Sequence, residues 1–113
     1  MIDGIGIDVV DIKRFHESLE RTSGLREKLF TESESKVNES SLAARFAAKE
    51  ALYKALSPDH GLHWHEAEVI NMPNGKPAFL FRGEIADLVD GASVHLSISH
   101  DAGIASAMVV LER

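Results

Sequence analysis

Asp8 stands inside Gly4-Ile5-Gly6-Ile7-Asp8-Val9-Val10, an apolar and largely β-branched run that reads as the interior of a strand. An ionised carboxylate there is expensive to bury unless a cation or several donors meet it, so Asp8 needs a partner. Residues 41–56, SLAARFAAKEALYKAL, supply charges at helical spacing: Glu50 precedes Lys54 by four positions, and Arg45 precedes Lys49 by four. The plain account of Glu50 and Lys54 is a solvent-facing ion pair worth about 0.3–0.5 kcal/mol. Arg45 and Lys49 are like charges that mildly repel, so stacking them gains nothing unless an anion lies across both, and phosphate suits that place. Asp8 and Glu50, two isolated acids from different elements beside phosphate-binding cations, form the usual protein share of a Mg²⁺ site. Mg²⁺ keeps several waters and takes one or two carboxylates together with substrate phosphate oxygens. Asp8 also has structural readings, as a strand end or a helix cap, although Asp11 is the better cap for the helix that follows.

His100 comes after an alternating run in which Ser97 and Ser99 share the polar positions. Hydroxyls, a ring nitrogen and backbone N–H groups at that turn could converge on a phosphate or move a proton, or His100 could simply end a strand. His60, His63 and His65 in HGLHWH invite a zinc reading, which no thiolate and no regular spacing supports. There is no Walker loop, dinucleotide fingerprint or nucleophile elbow.

These groups need elements to hold them. Residues 2–10 read as a strand whose Gly4 and Gly6 imply a bulge or the close approach of another group, for which a ligand near Asp8 would serve. From Asp11 the spacing of Ile12, Phe15 and Leu19, then Leu25 and Leu29, is helical with a break at Gly24, and it turns Lys13, Arg14 and Arg21 outward. Thr31-Glu32-Ser33-Glu34 fits a capping box. Residues 41–56 carry six alanines and no glycine or proline, which predicts a helix that Pro58 stops. Residues 66–72 and 77–82 flank Pro73-Asn74-Gly75-Lys76 as a hairpin. A short helix over 83–90 closes at Gly91, and strands at 94–99 and 104–111 flank Asp101-Ala102-Gly103. The order β-α-α-α-β-β-α-β-β predicts one α+β domain over residues 1–113, a mostly antiparallel sheet packed on the long helix.

A chain of 113 residues forms a real but small core, so burial between subunits would add stability. The formal charge of −6 argues against nucleic acid or an anionic membrane as general partners, while allowing a local basic pocket. Without cysteine there are no disulfides, thiolate metal sites or thiol nucleophiles. The N-terminal segment lacks the basic region of a secretory signal, and no apolar run reaches membrane-spanning length, so a cytoplasmic location is the expectation.

GIGIDVVDIKRF, LFTESE, ARFAAKEALYKAL, NGKP and HLSISHD, in this order over nearly the whole chain, resemble the holo-acyl-carrier-protein synthases, small enzymes with the 4′-phosphopantetheinyl transferase fold. The resemblance implies transfer of 4′-phosphopantetheine from coenzyme A to a serine of an acyl carrier protein, with 3′,5′-ADP as the other product, in support of fatty acid biosynthesis. It implies Mg²⁺ held by Asp8 and Glu50, and Lys54 neutralising charge on the pyrophosphate. Arg45, Lys49, Ser99 and His100 would hold the nucleotide end, and Asn74, Gly75, Lys76 and Pro77 would lie near the adenine. Arg14 and Arg21 would receive the acidic carrier protein. For the transfer so implied, Asp11 or a metal-bound water could act as base, and one sequence does not decide between them. The resemblance further implies a homotrimer with its sites between subunits. Where family members carry a Gly-Thr-Gly loop after the long helix, this chain has Ser57-Pro58-Asp59-His60-Gly61. A non-catalytic coenzyme A or nucleotide-binding module, or a structural trimer whose Asp8, Glu50 and Lys54 form an ion network, are the alternatives.

Overall fold

A computed structural model describes residues 1–56, 61 and 63–113. The elements run β1 (Ile2–Asp11), α1 (Ile12–Arg21), α2 (Leu25–Leu29), α3 (Glu39–Ala55), β2 (Ala67–Asn71), β3 (Pro77–Phe81), α4 (Gly83–Leu88), β4 (Ser93–Asp101) and β5 (Ile104–Glu112), with 3₁₀ turns at Glu34–Lys36 and Trp64–Glu66. This is the expected order. The sheet divides in two, however: β1, β5 and β4 form an antiparallel three-stranded sheet in the order β1-β5-β4, and β2 with β3 forms a separate hairpin. The substituted loop at 57–60, with Pro58 and His60, lies outside the described residues.

Asp11 caps α1 by accepting from the Arg14 N–H at 2.8 Å. Asn38 caps α3 by accepting from Ser41 N–H at 2.9 Å, which starts that helix two residues earlier than its alanine pattern predicts. The alanines have a second use. Ala43, Ala44, Ala47, Ala48, Ala51 and Ala55 are all buried, giving α3 a thin face that lies flat on the three-stranded sheet. Gly4 and Gly6 meet it from β1: a Cβ at either would run into the backbone carbonyl of Ala55 or Ala51. The close approach anticipated at these glycines is therefore that of α3, not of a ligand.

Aromatic rings fill the seam between α1 and α3, where Phe15 stacks on Phe46 at 4.7 Å and meets Phe30 edge-on at 6.1 Å. Beneath them lies a polar group sealed from solvent. Lys49 and Glu34, each with a fully buried side chain, pair at 2.8 Å; Lys49 also donates to the Trp64 carbonyl, and Glu34 accepts from Thr31 and Val69 N–H at 3.0 and 2.7 Å. Glu34 N–H in turn donates to the Thr31 hydroxyl at 3.3 Å, so the capping box closes reciprocally, on a single 3₁₀ turn. Glu68 extends the group through Thr31 and Arg82. Burial pushes the Glu68 carboxyl up, but the hydrogen bonds from Arg82 and Thr31 outweigh it and leave the group below the ordinary carboxylate range. On the opposite face of the three-stranded sheet, Ile5, Ile7, Val9 and Met108 stand exposed.

Candidate functional site

Side chains alternate along β1, so Gly4, Gly6, Asp8 and Val10 share the face turned to α3. With no side chains at the glycines, α3 comes near enough for Lys54 to reach the strand. Its Nζ donates to the Ile7 carbonyl at 2.9 Å and pairs with Asp8 Oδ1 at 3.2 Å. This is the partner that Asp8 requires. Glu50, one turn back on α3, has its carboxyl raised above the ordinary range, first by burial and then by the charge of Asp8, against a lowering by Lys54. Lys54 thus pairs directly with Asp8, while Glu50 feels its charge without an ion pair to it, so the two carboxylates carry more negative charge than one ammonium offsets. An oxygen-only donor pair of this kind fits a hard cation such as Mg²⁺ completed by phosphate oxygens and water.

One and a half turns earlier on α3, Arg45 lines a cleft of about 280 Å³ together with Ser41, Asn71, Pro77, Ile98 and His100. The structure therefore brings Arg45, His100 and Pro77 together, three of the residues expected at the nucleotide end. Asn71 and Ser41 were not singled out by the sequence reading. Ser41 precedes Arg45 by four positions, a spacing that would have found it.

Two expectations at this end need correction. Lys49 does not face the cleft with Arg45: its ammonium is sealed against Glu34, and burial pulls it below the ordinary lysine range although Glu34 acts to raise it. Ser99 and His100 do not converge, because adjacent strand residues point to opposite faces; His100 lies with Ile98 on the cleft side and Ser99 with Ser97 on the other. Asn74, Gly75 and Lys76 form the exposed hairpin turn, held by Asn74 Oδ1 accepting from Lys76 N–H at 3.0 Å, and only Pro77 of that stretch lines the cleft. Asp11 has one oxygen committed to the cap of α1.

Arg14 and Arg21 lie exposed on α1, linked through Ser18, whose hydroxyl donates to the Arg14 carbonyl at 3.1 Å and accepts from Arg21 at 3.4 Å. Of the histidines of the zinc reading, His60 lies outside the described residues, His63 pairs with Glu84 at 2.9 Å and the His65 ring contacts the Glu27 carbonyl at 2.7 Å. Among the described residues no group of three or more His, Asp or Glu side chains gathers around a metal-sized point.

Residues 4–106 match the family described as the 4′-phosphopantetheinyl transferase superfamily. A holo-[acyl-carrier-protein] synthase of Leifsonia xyli is 55% identical over 116 residues, covering 100% of this chain and 98% of its own, and one of Beutenbergia cavernae is 53% identical over 116 residues with both chains covered completely. The fold superposes on the crystal structure of Helicobacter pylori holo-[acyl-carrier-protein] synthase in complex with coenzyme A with a TM-score of 0.84 at 36% identity, covering 96% of this chain and 99% of that one.

Proposed function

This chain belongs to the 4′-phosphopantetheinyl transferase superfamily, and from that premise we propose how its residues divide the work of moving 4′-phosphopantetheine from coenzyme A to a serine of an apo-acyl carrier protein. The serine hydroxyl replaces 3′,5′-ADP at the phosphorus attached to pantetheine, giving holo-carrier protein. Asp8 and Glu50 would hold Mg²⁺, and the observation that carries this is that the charge of Asp8 reaches the half-buried Glu50 carboxyl while the one ammonium at the site, Lys54, is paired with Asp8. When bound, the metal neutralises charge on the coenzyme A pyrophosphate. Lys54 has three N–H donors and spends two on Ile7 and Asp8, which leaves one for a phosphate oxygen as the leaving group gains charge. Arg45 and His100 take the nucleotide phosphates in the cleft, with Pro77 closing its hairpin side.

α1 receives the carrier protein through Arg14 and Arg21. The enzyme works as a homotrimer, supported by the apolar outer face of Ile5, Ile7, Val9 and Met108, a face of the kind subunits cover. One chain supplies the carboxylates and its neighbour part of the nucleotide pocket. No helix among the described residues is long and apolar enough to cross a membrane. In this reading the holo-carrier product serves fatty acid synthesis in the cytoplasm.

Mass spectrometry of an apo-carrier protein incubated with coenzyme A, Mg²⁺ and this enzyme is expected to show a phosphopantetheine increment on serine. Binding of coenzyme A without any increment would favour the non-catalytic module instead. Docking and chemistry separate in steady-state kinetics. Arg14→Glu or Arg21→Glu raises the carrier KM and weakens its salt dependence, with coenzyme A KM unchanged, because rim charges set encounter and register. Lys54→Ala chiefly lowers kcat, on the order of 10²-fold. Carrier KM values untouched by charge reversal at low ionic strength would remove α1 as the docking face.

A further inference from the structure

A single imidazole joins α1 to the start of α3. His16 Nε2 lies 2.8 Å from Glu20 Oε1 on its own helix and 3.0 Å from Oε1 of Glu39, the first residue of α3. Both carboxylates accept, so Nε2 carries a proton and is shared between them; Nδ1 is buried and makes no hydrogen bond. Glu39 is favoured where it stands, since the N-terminal end of a 17-residue helix carries partial positive charge. Without the imidazole, Glu20 and Glu39 would face each other as like charges across the seam between the two helices. The same seam opens into a cavity of about 460 Å³ that also presents Lys13 from α1, Ser40 from α3, and His100 and Asp101 from β4.

The rest of α1 is held differently. Asp11 and the Ile12 N–H, which donates to the Gly103 carbonyl at 2.9 Å, fix its first turn, and Phe15 and Leu19 bury its apolar stripe. Apolar packing resists separation of the helices but carries no polar link across the seam. Among the described residues, no other side chain within α1 makes a hydrogen bond or ion pair to another element.

We propose that His16 is a positioning residue for the carrier protein: by bridging Glu20 and Glu39 it sets the roll of α1 on α3, and with it the direction in which Arg14 and Arg21 present their guanidinium groups. The proposal rests on α1 being the docking helix. Loss of the bridge converts a link into a repulsion, so the effect falls on carrier binding and leaves the Lys54 contacts with Ile7 and Asp8, in which no bridge residue takes part, unaltered.

The test compares His16→Ala, His16→Gln and Arg14→Glu in the full chain, varying carrier protein and coenzyme A in turn, with amide exchange followed over α1. His16→Ala is expected to raise carrier KM about fivefold, with kcat and coenzyme A KM unchanged, and to speed exchange in α1. His16→Gln places an amide donor near the position of Nε2 and restores most of the loss. If Arg14→Glu raises carrier KM and His16→Ala does not, the proposal is overturned while α1 stands as the docking helix. If neither raises it, the docking role falls, and the proposal with it. A His16→Ala defect that lowers kcat, raises both KM values and is not repaired by Gln marks a merely structural residue and also overturns the proposal.

Discussion

Asp8→Asn or Glu50→Gln each lowers the rate of phosphopantetheine transfer by about 10² to 10³, while the double variant is little worse than either single one. If both residues act through one bound metal, as proposed, removing either removes most of what the pair does, and the second removal finds little left. Neither change should unfold the chain. Asn keeps an oxygen at position 8 that Lys54 can still donate to, and Gln at position 50 relieves a carboxyl that burial and Asp8 already disfavour as an anion. Single-turnover assays with saturating coenzyme A, paired with urea unfolding curves, measure both sides. Losses that multiply in the double variant, or full activity in either single one, would mean that the two carboxylates do not share a site.

Lys49→Met lowers stability by about 3–5 kcal/mol, because Glu34 is left as an unpaired charge in the interior. In a domain of this size that is a large part of the total and lowers Tm by on the order of 15 °C. Glu34→Gln added to Lys49→Met recovers part of the loss. The recovery is incomplete because the Glu34 oxygens also serve Thr31 and Val69 N–H, and the amide nitrogen of Gln can accept from neither. At low temperature, where the single variant stays folded, coenzyme A KM is expected to be unchanged, whereas Arg45→Ala raises it. A Lys49→Met protein of normal stability and weakened coenzyme A binding would return Lys49 to the nucleotide cleft.

That contrast marks the boundary of what the sequence makes legible. Asp8, Glu50 and Lys54 are visible as a unit because the strand pattern demands a partner for Asp8 and the helical period stacks the other two. The same period misplaces Lys49. Repulsion between Arg45 and Lys49 implies an anion, but the anion that answers Lys49 is Glu34, fifteen positions away and already accounted for locally as a capping-box residue. A carboxylate can serve its own turn and a distant cation at once, and local pattern reports only the first. Ser99 and His100 fail for a different reason: proximity to a turn suggested convergence, whereas strand alternation sends them to opposite faces. The division into two sheets was equally out of reach, since it depends on where β2 and β3 pack rather than on any residue within them.

The glycines of β1 have one more effect. Because α3 rests on the main chain at Gly4 and Gly6, the gap between the strand bearing Asp8 and the helix bearing Glu50 is set by contact of backbone with backbone. Side chains have rotamers, and a spacing set by them drifts whenever one apolar residue replaces another. A main-chain contact has no such freedom. Mg²⁺ demands near-ideal coordination distances, so at the proposed metal site a gap that wandered by about half an ångström would loosen the hold on the ion. The two glycines work as a fixed gauge: neither is a proposed ligand, yet their contact with the α3 backbone sets the tolerance to which the strand and helix are machined, and leaves the remaining core at liberty to vary.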